Sequence, residues 1–354
     1  MDSAPGPSGK LRVALVGAGW VATHRHLPSL RANPRVEIVG LVDHNESRGA
    51  EVARKFGIAR SASSVDLGAL PWLAEVDAVV IGTPPQTHHA VASRALSLGK
   101  HVLTEKPFAL TVAEGEDLSE RADAAGRMLA VVHNFQFSRA FVRLLSDVAA
   151  GRLGEPAAIE AHQFSNPNRR LPIWYGDLPG GLFFDESPHL LYLLRRLAGG
   201  ELAVEAAHAV KNRAGGRTPD LLSAFFRTGS GVSARMTLNF VAPVSEWFVS
   251  VAGSKAMGIV DIFRNVYVRL PNDGAHVTAT ALRTSALATL RHWAGSARPG
   301  IEFLLGRAMY GNREVMRRFA EACGSGVAPE GISKADGLDV LRLQYTILET
   351  AGLA

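Results

Sequence analysis

The chain has 354 residues, 47% hydrophobic and 20% charged, with a formal net charge of +5 and a single cysteine, Cys323. These values exclude a long disordered polymer and a disulfide-stapled mini-domain, and one thiol cannot build a Cys-rich zinc site. The basic residues lie in scattered pairs such as Arg169-Arg170, Arg195-Arg196 and Arg317-Arg318, with no aromatic-interleaved stripe, so no nucleic-acid partner is expected.

A chain this long outgrows one compact core and predicts two domains. Residues 1–10, MDSAPGPSGK, read as a flexible tail with no apolar leader. Every apolar run is cut by Gly, Pro or charge before about 18 residues, so no membrane partner is expected. With the lone thiol, this predicts a cytoplasmic protein.

From residue 11 strands and helices alternate. LRVALVG is a β-branched apolar run ending in glycine, the mark of a buried strand, and a helix is predicted near 21–31. VEIVGLVD (strand), ESRGAEVARKFG (helix), VDAVVIGT (strand), THHAVASRALSLG (helix) and KHVLTE (strand) follow. AEGEDLSERADAAG (helix) and RMLAVVHN (strand) complete the series. Such alternation predicts right-handed βαβ units and a doubly wound parallel sheet over residues 11–134.

The pattern changes over residues 135–354. A helix over 139–150, the strand EPAAIEAHQF and a helix over 185–197 precede six strand-like segments, LAVEAAHAV, DLLSAFFRT, GVSARMTLNF, EWFVSVAG, MGIVDIF and VYVRL. Short connections imply antiparallel neighbours, hence an α+β domain on a large, mostly antiparallel sheet. Helices near 300–323 and 334–352 close the chain, the last of them a candidate to pack back on the first domain.

The turn after the first strand, VGAGWVA, puts Gly17, Gly19 and Ala22 in G-x-G-x-x-A spacing between a strand and a helix. Gly17 makes the tight turn, Gly19 lets the backbone approach a pyrophosphate, and Ala22 permits close helix packing. Asp43, 24 residues after Gly19 at the end of the second strand, suits an adenosine ribose and favours NAD over NADP. Arg48 keeps NADP open. Thr83, Pro84 and Pro85 lie at the carboxyl end of the third predicted strand, where doubly wound sheets bind ligands. His88 and His89 start the next helix or neighbour the cofactor. No metal is expected, because neither these histidines nor His24-Arg25-His26 has a supporting acidic or Cys cluster.

Glu105-Lys106-Pro107 ends the fourth predicted strand at the same edge. Pro107 biases Lys106 away from helical angles, and a lysine there can stabilise an oxyanion that develops as hydride leaves carbon. Glu105 suits holding that ammonium or the cofactor. Further on, GGLFFDESPHLLYLL sets Asp185 and His189 four residues apart on one helix face, where a histidine titrating near neutrality can exchange a proton with a hydroxyl. On that reading the helix begins near Asp185, and Pro188 falls in its first turn, where a missing N–H is tolerated. A surface turn at EKP and a capping Asp at 185 remain open alternatives for the two motifs. The loop SNPNRRLPIWYGDLPGG adds Arg169, Arg170, Trp174, Tyr175 and Asp177, groups suited to a sugar ring.

Over residues 11 to about 200, these motifs together resemble the Gfo/Idh/MocA (glucose–fructose oxidoreductase / inositol dehydrogenase) family. The resemblance implies a Rossmann domain plus an α+β domain with an open-faced sheet, and an NAD- or NADP-dependent oxidoreductase acting between a secondary alcohol and a ketone of a sugar, cyclitol or sugar-nucleotide. It implies catalytic roles for Lys106, Asp185 and His189, with cofactor contacts at Gly17, Gly19, Trp20, Val21, Asp43, Thr83, Pro84, His88, Glu105, Lys106 and Asn134. Arg170, Trp174 and Tyr175, with the catalytic three, become substrate-binding candidates, and a homodimer or homotetramer is implied. Two departures stand out: Ser187 replaces the glycine of D-x-G-x-H, and Gln136 stands where an Arg is frequent. A catalytically silent NAD-binding regulator, and a relative that cleaves glycosides or reduces imines, are the alternatives.

Overall fold

The computed structural model describes residues 9–64, 66–211 and 217–353, so most of the tail expected over residues 1–10 lies outside the described residues. The chain divides into two compact units. One comprises the described residues up to Asn134 together with Asn312–Arg342, and the other Phe135–Gly311 and the described residues from Leu343 onward.

The first unit contains β1 (Leu11–Val16), α1 (Leu27–Arg31), β2 (Val36–Val42), α2 (Glu46–Phe56), β3 (Arg60–Ala62), β4 (Ala78–Ile81), α3 (His88–Ser97), β5 (His101–Thr104), α4 (Val112–Ala125) and β6 (Leu129–Val131). Six parallel strands run in the order β3-β2-β1-β4-β5-β6. Strand order therefore reverses at β1, and the carboxyl ends of β1 and β4 flank the point where doubly wound sheets bind ligands. The doubly wound expectation holds, with β3 as an added edge strand.

The helix expected over 21–31 is not one regular run. Ala22–His26 is π-helical and only Leu27–Arg31 is α-helical. Pro28 is the reason: it has no N–H to give the His24 carbonyl four residues back, so the ladder widens ahead of it. The Arg25 guanidinium donates to that carbonyl instead, at 3.0 Å.

The second unit begins with α5 (Arg139–Ala149), β7 (Pro156–Phe164) and α6 (Leu182–Ala198). It continues through β8 (Leu202–Val210), β9 (Leu221–Thr228), β10 (Ser233–Asn239), β11 (Glu246–Gly253), β12 (Ala256–Asp261) and β13 (Val266–Pro271) to α7 (Thr278–Leu304). Its seven strands run β13-β12-β11-β7-β10-β9-β8, antiparallel except for the β7–β10 pair. Ile159, Ala161 and Gln163 alternate on the buried face of β7, the face that meets α6.

The helix expected near 300–323 is instead the end of α7 followed by a separate α8 (Asn312–Ser325), which packs on β1 in the first unit. The last helix, α9 (Lys334–Thr350), contributes its residues through Arg342 to that unit, where Ile332 accepts the Val131 N–H at 2.9 Å just ahead of it.

Candidate active site

Within the first unit the predicted cofactor residues gather at the carboxyl edge of the sheet. Gly17 has φ +97°, and a Cβ there would come within 2.7 Å of the Gly82 carbonyl oxygen, so only glycine lets the turn after β1 pass so close to β4. A Cβ on Gly19 would meet nothing within 4 Å, so this backbone borders open space of the kind a pyrophosphate needs. Trp20 and Val21 continue the turn; the Trp20 ring stacks on His24 at 4.9 Å, with the Arg25 guanidinium 4.9 Å from its centroid.

Asp43 is buried at the end of β2. It accepts the Ala18 N–H at 2.6 Å, the Asn45 N–H at 2.8 Å and the Arg48 guanidinium at 2.7 and 3.3 Å. Burial alone would raise its carboxyl, but Arg48 and the two backbone donors outweigh this and hold it below the usual carboxylate range. Asp43 thus braces the glycine turn from the end of β2. Of its partners, half-exposed Arg48 is the one that can yield to a ligand.

His88, the first residue of α3, is buried, with Nδ1 2.8 Å from the Pro107 carbonyl oxygen and Nε2 3.0 Å from that of Thr83. Burial pushes the imidazole down, toward the neutral form, against the pull of the two carbonyls. One ring therefore ties the Thr83-Pro84-Pro85 turn to Glu105-Lys106-Pro107, whose Lys106–Pro107 peptide bond is cis.

Glu105 accepts the Lys106 backbone N–H at 3.0 Å, and its other oxygen lies 3.0 Å from His26 Nε2. Burial would raise this carboxyl, yet His26 and Lys106 hold it low. Thr104 and Asn134, at the ends of β5 and just past β6, are buried at the same edge.

In the second unit α6 begins at Leu182, three residues before Asp185. The Leu182 N–H is capped by the Thr218 hydroxyl at 2.9 Å, and Gly181 has φ +61° with a Cβ position blocked by Thr218. Pro188 consequently lies inside the helix rather than in its first turn, and the Phe184 carbonyl loses its intrahelical donor. Gln344 of α9 replaces it: its amide donates to the Phe184 carbonyl at 2.7 Å and to the Ser187 hydroxyl at 3.0 Å. The proline and the Ser187 departure are thus accommodated by one buried side chain.

Asp185 is buried on α6, one turn ahead of half-buried His189. The His189 Nδ1 lies 2.9 Å from the Tyr192 hydroxyl, whose oxygen accepts the Phe135 N–H at 3.0 Å. The imidazole sits among the rings of Phe135, Trp247 and Tyr192, at centroid distances of 4.6, 5.5 and 5.7 Å. Tyr192 is three residues from His189 and on the same helix face, a signal present in the sequence. Trp247 comes from β11 and carried none.

Among the loop candidates, Trp174 and Tyr175 are half-buried in a short 3-10 turn, Ile173–Asp177, and Arg170 is exposed. Arg169 instead pairs with Glu186, a buried carboxylate that also accepts the Gln163 amide. Gln136, the other departure, is buried in the 3-10 turn Phe135–Phe137.

A parallel sheet with a G-x-G-x-x-A turn and a buried carboxylate at the switch point, followed by a second sheet domain, defines a dinucleotide-binding protein of the Rossmann class. The chain belongs to the Gfo/Idh/MocA family: residues 11–133 match its oxidoreductase model with an NAD-binding Rossmann fold, and residues 141–258 match its C-terminal domain. It is 31% identical over 230 residues, 64% of this chain and 57% of the relative, to a 1-carboxy-3-chloro-3,4-dihydroxycyclohexa-1,5-diene dehydrogenase of Comamonas testosteroni. It is 29% identical over 266 residues, 73% of this chain and 78% of the relative, to a 1,5-anhydro-D-fructose reductase of Ensifer adhaerens. The first of these matches thus spans little more than half of the relative's length. The solved structure of GenD2 from gentamicin A biosynthesis, in complex with NAD, shares the fold at TM-score 0.77, with 24% identity over 97% of this chain and 94% of that one.

Proposed function

We propose that the chain is an NAD-dependent oxidoreductase acting between a secondary alcohol and a ketone on a sugar, cyclitol or sugar-nucleotide. The observation that carries the reading is His189, enclosed by aromatic rings, one turn from Asp185, and held through Nδ1 by a Tyr192 that Phe135 positions. The relatives named as dehydrogenase and reductase of hydroxylated rings support it.

NAD, when bound, supplies the hydride acceptor. His189 exchanges the hydroxyl proton at Nε2, because Nδ1 is engaged by Tyr192. Lys106 hydrogen-bonds the reacting oxygen and stabilises the negative charge that grows on it. Asp185 binds or orients the same substrate. Gly17, Gly19, Trp20, Val21 and Asp43 bind the dinucleotide, with Thr83, Pro84, His88, Glu105 and Asn134 lining or bracing its pocket. Trp174 and Tyr175 offer ring faces to the sugar, and Arg170 is the guanidinium available for an anionic substituent. Outward-facing Phe225 and Met257 on the second sheet support homo-oligomerisation, which sedimentation tests.

The test is an absorbance screen of NAD and NADP, at the wavelength of the reduced nicotinamide, against sugars, cyclitols and nucleotide-sugars. Turnover with at least one class upholds the reading. Tight NADH binding with no turnover across the panel identifies a regulator instead.

A further inference from the structure

Within the second unit, α5, β13 and α7 border a cavity of about 580 Å³ that none of the proposed site residues lines. Four guanidiniums line it: Arg143 of α5, Arg152 just past that helix, Arg269 of β13 and Arg291 of α7. Gly295 shapes the wall. A Cβ there would come within 2.9 Å of Val266, so glycine lets α7 lie close against β13.

The cavity has one carboxylate, and both of its oxygens are engaged. Asp147 accepts Arg152 at 2.5 Å through one, and the Tyr267 hydroxyl at 2.7 Å and Arg269 at 3.2 Å through the other. Burial would raise this carboxyl, but Tyr267 and Arg152 hold it low, so it stays ionised. Arg291 gives one N–H to the Arg269 carbonyl, a neutral acceptor, and among the described residues no carboxylate pairs with Arg143 or Arg291. In an adjoining cavity of about 250 Å³ that shares Arg143, Arg139 and Arg298 are both answered by Glu302, at 3.4 and 3.0 Å, so that acid is engaged too. Four guanidiniums against one carboxylate leave an excess of three positive charges around the larger cavity.

We propose that this cavity is a binding site for a small organic phosphate, its phosphate group taken by Arg143, Arg269 and Arg291. Geometry and charge select this ligand. Guanidiniums arriving from a helix, a strand and a second helix can surround a tetrahedral oxyanion, whereas a planar carboxylate presents two oxygens along one edge. The volume lies within the roughly 300–1,000 Å³ of small-molecule pockets, which leaves room for the organic part beside the phosphate. Arg143, Ser146, Arg152 and Ala294 are exposed, so the ligand enters from solution. A membrane is not its source: Arg291 and Gly295 lie on the side of α7 that packs on β13, away from exposed Leu290 and Trp293, and no helix among the described residues is long and apolar enough to cross a bilayer. The site stands whether or not the oxidoreductase reading holds.

The experiment is titration calorimetry of the full chain with glucose 6-phosphate, glucose, inorganic phosphate and citrate. Glucose 6-phosphate should bind saturably and more tightly than the other three, with an affinity that falls as salt rises. Arg143→Gln with Arg291→Gln should weaken its binding roughly tenfold or more. Ala294→Glu sets an acid on an exposed wall of the cavity and should do the same, so the outcome does not hang on one variant's folding. NADH affinity, read by fluorescence, should stay within a few-fold of native in both. No saturable binding of glucose 6-phosphate, binding that both variants leave untouched, or equal affinity for glucose, inorganic phosphate or citrate would each overturn the proposal.

Discussion

Oε1 of Glu105 stands 3.0 Å from Nε2 of His26, with the imidazole fully buried and the carboxylate 13% exposed. The contact is an ion-pair distance rather than a well-aligned hydrogen bond. It fastens the loop that carries Lys106 to the segment that follows the glycine turn, so the proposed catalytic lysine is held from the nucleotide side of the same unit. His26→Ala leaves a buried carboxylate without its main partner and should cost about 3–5 kcal/mol. The pH dependence should also weaken. In the native chain the Glu105 carboxyl sits below its unfolded value, so it adds stability above about pH 4.5 that fades as the pH falls. In the variant only Lys106 still opposes the burial, so the stability that Glu105 adds above that pH should shrink. Urea denaturation at several pH values measures both effects, and a loss under about 1 kcal/mol would contradict the assignment.

Gln344 and Pro188 form a second testable pair. Gln344→Leu strands the Phe184 carbonyl and should cost about 1–3 kcal/mol. Pro188→Ala restores the missing N–H, so Gln344→Leu should cost less in that background. A double-mutant cycle by urea denaturation reads the coupling directly, and additive losses would show that the amide does not replace the proline's donor.

Asp43 and Arg48 set cofactor choice. Asp43→Ser removes the acid that would repel a 2′-phosphate and releases Arg48 to meet one. The ratio of NADP to NAD affinity should rise by roughly 10- to 100-fold, read by fluorescence titration of the reduced cofactors. An unchanged ratio would remove Asp43 from the ribose site.

His101 predicts the acid limb of stability. Burial, with Arg127 nearby, pushes its imidazole down to about 4, and Nδ1 accepts the Met128 N–H at 2.8 Å. The unfolded chain takes up this proton near pH 6.5, before the folded one does. Stability is therefore complete above that value and declines as the pH falls toward 4, by about 2 kcal/mol once the screening of a partly exposed group is allowed for. His101→Asn keeps an acceptor near Nδ1 and should flatten the decline. Chemical denaturation midpoints between these pH values check it, and an equally steep variant would assign the limb elsewhere.

The sequence was most legible where a backbone pattern and a chemical motif coincide. The apolar runs ending at Gly17, Thr83 and Glu105 form parallel strands whose carboxyl ends share one edge. It was least legible where a partner arrives from far along the chain. Three-residue β3 is too short for a period, and the parallel β7–β10 pairing has no local signature. Thr218 starts α6 three residues early, and Gln344, far downstream, makes Pro188 tolerable inside it. The Arg169–Glu186–Gln163 group likewise joins a loop, a helix and a strand that no spacing rule connects. In α7, small residues, Gly295 and Pro299 blur the helical period, and its start was missed.

The central claim concerns Lys106 and His189, and one comparison addresses it most directly. Turnover of the best substrate from the screen is measured for the native chain, Lys106→Ala and His189→Ala, alongside NADH affinity by fluorescence. Each substitution should lower kcat by roughly 10²-fold or more and leave NADH affinity within a few-fold of native. Native turnover in both variants would contradict the account.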